Sequence, residues 1–175
     1  AVDALADELS SQPIDLLLNN AGSYTQGGFA AARFEQGFGN SDFEDWQKVF
    51  RINVFAPMKM AEAFVDHLAS AEQGKLVTIS SIMGSIALND SGGSYAYRSS
   101  KAAVNCVMRS LSLDLADKGV MVALLHPGWV STDMGGPDAD ITPQVSVSGM
   151  RRVIESLQPE QSGCFKSYQG KNLAW

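Results

Sequence analysis

Tyr97 and Lys101 stand four residues apart in the stretch "YAYRSSKAAVN", a spacing that puts two side chains on one face of a helix, one turn apart. A phenol and an ammonium so placed could share one substrate and handle a proton. An unperturbed phenol, with a pKa of about 10, carries protons poorly at neutral pH, so a neighbouring cation is needed to favour the phenolate. Only Tyr97 has the lysine at that distance; Tyr95 is expected to line a substrate space or to pack. Ser80 and Ser81 close an apolar run, where an exposed hydroxyl could hold a carbonyl oxygen beside the tyrosine. Asn53 has Pro57 four residues on, and a proline without an N–H cannot complete the helical bond to the Asn53 carbonyl. A helix irregularity is therefore expected at Asn53.

These groups need a scaffold, and the apolar pattern supplies one. Val2, Leu5 and Leu9 form a helical stripe that Pro13 ends, and Ile14 to Leu18 then read as a short buried strand running into "NNAG". Residues 23–40, rich in Gly and small side chains, read as a loop. Ser41 with Glu44 suggests a capping box opening a long helix to about residue 68. "GKLVTISS" is a second strand, residues 95–117 a helix with Val104, Val107, Met108, Leu111 and Leu115 on its apolar stripe, and "VMVALL" a third strand leading into "HPGWVSTDMGG". Residues 145–157 read as a further helix and 164–166 as a last strand. Strands alternating with helices imply a parallel, doubly wound sheet in three α/β/α layers. Ligands in such sheets bind at the carboxyl ends of the strands, where "NNAG", "ISS" and "HPGWVST" all fall. With no repeats or linkers, residues 1–175 read as one domain.

Composition narrows the chemistry. A chain of 175 residues with 45% hydrophobic side chains can bury a real core. Net charge is −6, and the thirteen basic residues are scattered rather than striped, which argues against a nucleic-acid or anionic-membrane surface. No apolar run is long enough for a membrane span. Cys106 and Cys164 lack disulfide-framework and metal-site spacing, so they read as buried reduced thiols and the compartment as cytoplasmic. His67 reads as exposed and His126 as packed beside the loop that follows it.

In order and spacing, "NNAG" at 19–22, Asn53, "ISS" at 79–81, the Tyr97 and Lys101 pair and "PGWVST" at 127–132 resemble the classical short-chain dehydrogenase/reductases. "YAYRSSKAAVN", "LHPGWVSTDMGG" and the terminal "LAW" resemble, within that superfamily, the C-factor and Sniffer-like carbonyl reductases. The resemblance implies a Rossmann-like fold and an NAD- or NADP-dependent oxidoreductase acting on a small carbonyl or alcohol substrate. It casts Tyr97 as general acid/base, Lys101 as its cation and a ribose ligand, Ser81 rather than Ser80 as the substrate hydroxyl, and Asn53 as the holder of a water linked to Lys101. It assigns Asn20, Ala21 and Gly22 to the adenosine side of the cofactor, and Pro127, Gly128, Val130 and Thr132 to the nicotinamide. Many relatives dimerise through the two long helices, so a homodimer is possible. The alternative from another class is a non-enzymatic C-factor-like signalling or interaction protein, the shortened chain being inactive.

The chain carries no glycine-rich strand-to-helix turn of the kind that cradles a pyrophosphate. In the resembling family that turn follows the first strand, so the sequence reads as the later part of a longer fold lacking three strands. "IDLLL" would then form an unpaired apolar edge.

Overall fold

The computed structural model describes residues 1–10, 12–25 and 37–175; residues 26–36 of the predicted loop lie outside them. Four strands, β1 (Leu16–Asn19), β2 (Lys75–Ile79), β3 (Met121–His126) and β4 (Cys164–Ser167), form one sheet in the order β1-β2-β3-β4. Every pairing is parallel, as the alternation with helices requires. The helices are α1 (Val2–Glu8), α2 (Phe43–Phe50), α3 (Ala56–Ala69), α4 (Tyr95–Asp114) and α5 (Pro143–Ser156).

Alternation along the central strands sorts the core into two layers. Leu76, Val122 and Leu124 face α3 and α4, where they pack with Ala61, Leu68, Val104, Met108 and Leu111. Val77, Ala123 and Leu125 face the opposite side and meet Val153 and Leu157 of α5 and its C-cap. Leu76, Val77, Val122, Leu124 and Leu125 are all fully buried, and each contributes roughly 1.5–3 kcal/mol of burial. The register pairs Asn19 with Thr78 and Thr78 with Leu124, so the strand tips end side by side. At the edge, β1 is less protected: Leu16 and Leu18 stay 40% and 42% exposed.

The helix ends show where sequence rules held and where they slipped. The cap of α2 is Asp42, not Ser41: its carboxylate accepts the N–H groups of Glu44 and Asp45 at 2.9 and 3.1 Å, so the start lies one residue later than the predicted box. Thr142 caps α5, with Pro143 at the first helical position. His67 is buried rather than exposed, because α1 packs over the end of α3 and the Ala6 carbonyl meets His67 Nε2 at 3.1 Å. Cys106 is exposed and Cys164 half-buried, since Cys106 lies off the apolar stripe of α4.

Candidate active site

The long helix predicted from residue 41 breaks where Pro57 said it would. Residues Arg51–Phe55 form a π-helical turn in which the Ala56 N–H reaches back five residues to the Arg51 carbonyl. This turn carries Asn53 inward, only 1% exposed. Its Nδ2 donates to the Ser23 carbonyl at 2.7 Å and to Ser100 Oγ at 2.9 Å, while its Oδ1 accepts the Ser23 N–H at 2.8 Å. Ser100 in turn donates to the Tyr97 carbonyl at 2.8 Å. Asn53 thus joins the chain just beyond "NNAG" to the first turns of α4. An added Cβ on Gly22 would lie 3.6 Å from both Asn53 Oδ1 and Lys101 Nζ, which places Gly22 next to both side chains.

Tyr97 and Lys101 both turn into the molecule, 8% and 4% exposed. Lys101 Nζ donates to the Ile79 carbonyl at the tip of β2, 2.9 Å away, and stands 5.7 Å over the centre of the Tyr97 ring. Burial lowers the Lys101 pKa to about 8. Burial also dominates at Tyr97, pushing the phenol up to about 12; a hydrogen bond with the Ser81 side chain opposes this, and Tyr24 adds to it. The expected acidification by Lys101 does not operate in this geometry: desolvation dominates, and only the Ser81 hydrogen bond favours the phenolate. At neutral pH Tyr97 is a protonated donor.

The two adjacent serines separate cleanly. Ser80 Oγ, 2% exposed, donates to Asn105 Oδ1 at 2.5 Å and is committed to α4. Ser81 faces Tyr97, and its Oγ also accepts the Met83 N–H at 3.1 Å as cap of a 3₁₀ turn, Ile82–Gly84. Gly84 is where that turn rests on α4: an added Cβ would come 2.7 Å from the Lys101 carbonyl carbon.

Tyr97 and Ser81 open onto a cavity of about 620 Å³ at the strand tips, walled across from them by Trp129, Met134, Ile141, Tyr168 and Leu173. Its far wall begins at His126, whose pKa burial lowers to about 4 and whose Nδ1 has no protein partner. Ser146 Oγ on α5 donates to the Pro127 carbonyl at 2.6 Å. Gly128 then takes φ +86°, where a Cβ would stand 2.6 Å from Ile141 Cδ1 and 3.0 Å from Tyr168, so both conformation and space demand glycine. Val130 pairs with Ile141, through Ser131 N–H to Ile141 O at 2.9 Å and Ile141 N–H to Trp129 O at 3.2 Å. Thr132 Oγ1 accepts the Gly135 N–H at 3.2 Å and donates to the Val130 carbonyl at 3.3 Å.

Of the residues singled out by sequence, Ser81, Tyr97, Pro127, Gly128, Val130 and Thr132 line this cavity, whereas Lys101, beside the Tyr97 ring, and Asn53, bonded to Ser100 of the same helix, lie outside its lining. Asn20, Ala21 and Gly22 follow β1 on the surface beside Lys101. Tyr95 is 37% exposed and lies outside the cavity lining. Sequence reasoning missed Tyr24, Gly84 and Trp129. Tyr24 lay in a stretch without periodicity; its only sequence signal was its position right after "NNAGS".

A parallel sheet flanked by helices, with a cavity at its strand tips, is a Rossmann-like architecture. The chain belongs to the short chain dehydrogenase family, whose model matches residues 1–140. It is 44% identical over 172 residues to the C-signal of Myxococcus xanthus, covering 98% of this chain and 99% of that one. Four further curated relatives, named as dehydrogenase or oxidoreductases, are matched over only 57% to 62% of their own length. Among solved structures it resembles the NADPH-bound carbonyl reductase from chicken fatty liver, with a TM-score of 0.87 and 34% identity over 99% of this chain and 72% of that one. It also resembles the carbonyl reductase Sniffer of D. melanogaster, with a TM-score of 0.89 and 33% identity over 100% of this chain and 73% of that one.

Proposed function

We propose that this chain carries the proton-donating site of an NADP(H)-dependent carbonyl reductase, in which Tyr97 protonates the oxygen of a small carbonyl substrate as its carbon is reduced. The observation that carries this reading is a buried, protonated phenol paired with the Ser81 hydroxyl and facing an apolar cavity. Ser81 holds the carbonyl oxygen, and Tyr97 donates to it as negative charge develops there. Lys101, anchored on the Ile79 carbonyl, supplies positive charge beside the phenol once the proton has left. Asn53 fixes the loop after β1 against α4, so phenol and amine keep their spacing; a water on its side of the helix would return a proton to Lys101.

The nicotinamide cofactor, when bound, supplies the hydride. The residues present fit its nicotinamide end: Pro127, Gly128, Val130 and Thr132 line the cavity onto which Tyr97 and Ser81 open, and Lys101 stands beside the phenol. Asn20 and Ala21 would flank its adenosine. Among the described residues no glycine-rich turn opens a helix as a pyrophosphate cradle does. NADP(H) rather than NAD(H) follows the NADPH-bound relative. A cytoplasmic setting suits the free thiols, and no described helix is long and apolar enough to cross a membrane. Phe43 and Phe55, 69% and 60% exposed beside the π turn, fit a homodimer contact. The competing reading, a non-enzymatic signalling protein, draws on the likeness to C-signal and leaves the gathering of phenol, hydroxyl and amine unexplained.

The test is NADPH consumption with a panel of aldehydes and ketones, alongside NADPH binding by fluorescence. Replacing Tyr97 by Phe is expected to lower turnover about 10²–10⁴-fold and leave NADPH affinity within a few-fold. Unchanged turnover in Tyr97→Phe would remove the assignment.

A further inference from the structure

Tyr24 occupies a place that neither the motifs nor the reaction above require. It is 5% exposed, although it follows a loop-like "NNAGS" and precedes the glycine-rich stretch. Its ring lies against that of Tyr97 with centroids 4.3 Å apart and planes tilted by 34°. Its hydroxyl meets Ser94 Oγ at 2.6 Å. Ser94 is the residue from which α4 starts, and it is the only non-glycine residue at positive φ among those described, at +47°. Its own side chain makes no cap bond to the helix, so the Tyr24 contact is what fixes that hydroxyl. Met83 and Met134, from opposite walls of the cavity, close around the two rings. Tyr24 itself is held in place from below, because Ser23 is gripped through both its N–H and its carbonyl by Asn53.

We propose that Tyr24 is a positioning residue for Tyr97 that acts through its ring, which braces the phenol against the Ser81 side of the cavity; its hydroxyl contact with Ser94, at the start of the helix that carries Tyr97 and Lys101, is secondary. This role rests on Tyr97 being the proton donor. Tilted aromatic pairs at such separations are attractive beyond the area they bury, and a donor held by ring packing keeps its orientation without spending the hydroxyl it must give to substrate. The brace also transmits the Asn53 contacts to the reacting group. The groups facing Tyr97 are Ser81 from the β2 tip, Tyr24 from the loop after β1, and Lys101 from its own helix. Removing the Tyr24 ring opens the buried phenol to water and so eases its ionisation.

Three variants, Tyr24→Phe, Tyr24→Leu and Tyr97→Phe, test this in parallel with the unaltered chain. The first readout is tyrosinate absorbance near 295 nm against pH, in which the step that vanishes in Tyr97→Phe belongs to Tyr97. In Tyr24→Leu that step is expected to move down by about one pH unit, and Tyr24→Phe, which keeps the ring, is expected to hold it close to the original position. The second readout is NADPH-dependent reduction: Tyr24→Leu should lose at least about tenfold in kcat with little change in NADPH affinity, and Tyr24→Phe should recover most of it. An unmoved Tyr97 step in a folded Tyr24→Leu, or a Tyr24→Phe as impaired as Tyr24→Leu, overturns the proposal. If the unaltered chain reduces no carbonyl while the Tyr97 step still moves, the brace stands and the reductase reading fails, so the two failures are distinguishable.

Discussion

The two walls of the cavity are built by different physics. On the α4 side the lining residue Ser80, and Asn53, Ser100 and Lys101 outside the lining, are buried and bonded to neighbours at 2.5 to 2.9 Å. Across from them, Trp129 is 39% exposed, Thr132 is exposed, and the segment from Trp129 to Ile141 hangs on a few bonds of 2.8 to 3.3 Å. A buried polar network is costly to leave half-satisfied and so enforces one geometry, whereas exposed bonds contribute little and permit variation. The first wall therefore holds one geometry, as the proposed proton transfer needs, and the second can change without disturbing it.

The sharpest way to break this contrast is Asn53→Ala. It leaves the part-buried Ser23 N–H and carbonyl without their partner and takes the amide donor from Ser100 Oγ, which keeps its bond to the Tyr97 carbonyl; the expected cost is about 2–4 kcal/mol by urea unfolding, with kcat falling along with stability. His126, at the junction of the walls, gives the next effect. Its folded pKa, about 4, lies below the ordinary imidazole value of 6.5, so the unfolded chain binds the extra proton first as pH falls. The neutral imidazole's contribution is complete above pH 6.5 and is lost on descending toward pH 4. His126→Gln should flatten the acid loss of stability across that window by on the order of 3 kcal/mol. The smallest effect is expected on the open wall, where Thr132→Ala gives up two exposed bonds. There stability should fall by about 0.5–1 kcal/mol, and KM for NADPH should rise more than kcat falls. A Thr132→Ala variant as unstable as Asn53→Ala would erase the difference between the walls.

Much of the buried wall could be read from residue types alone because its causes are local. A proline four residues after Asn53 predicts the irregular turn, and a four-residue spacing brings Tyr97 and Lys101 to one face. The strand order and the strand tips followed from apolar runs alternating with helical stripes. What could not be read depends on contacts far apart in the chain. Tyr24 is buried through packing against Tyr97, Met83 and Met134, all far along the chain, while Asn53 grips its neighbour Ser23. Ser80 and Ser81 look equivalent until α4 places Asn105 against the first. Spacing alone promised that Lys101 would acidify Tyr97, yet it says nothing of desolvation, which here dominates. His67 and Cys106 were misjudged for the same reason, since burial is settled by which helix packs over which.

The central claim is that hydride reaches a carbonyl carbon in this cavity while Tyr97 protonates the oxygen. It is tested most directly with NADPH deuterated at the transferable C4 position and an aldehyde substrate, the alcohol product being read by mass spectrometry. The account predicts one deuterium at the carbinol carbon with the unaltered chain, and its loss, within detection, with Tyr97→Phe. Alcohol formed without deuterium, or labelled equally by Tyr97→Phe at an unchanged rate, would contradict it.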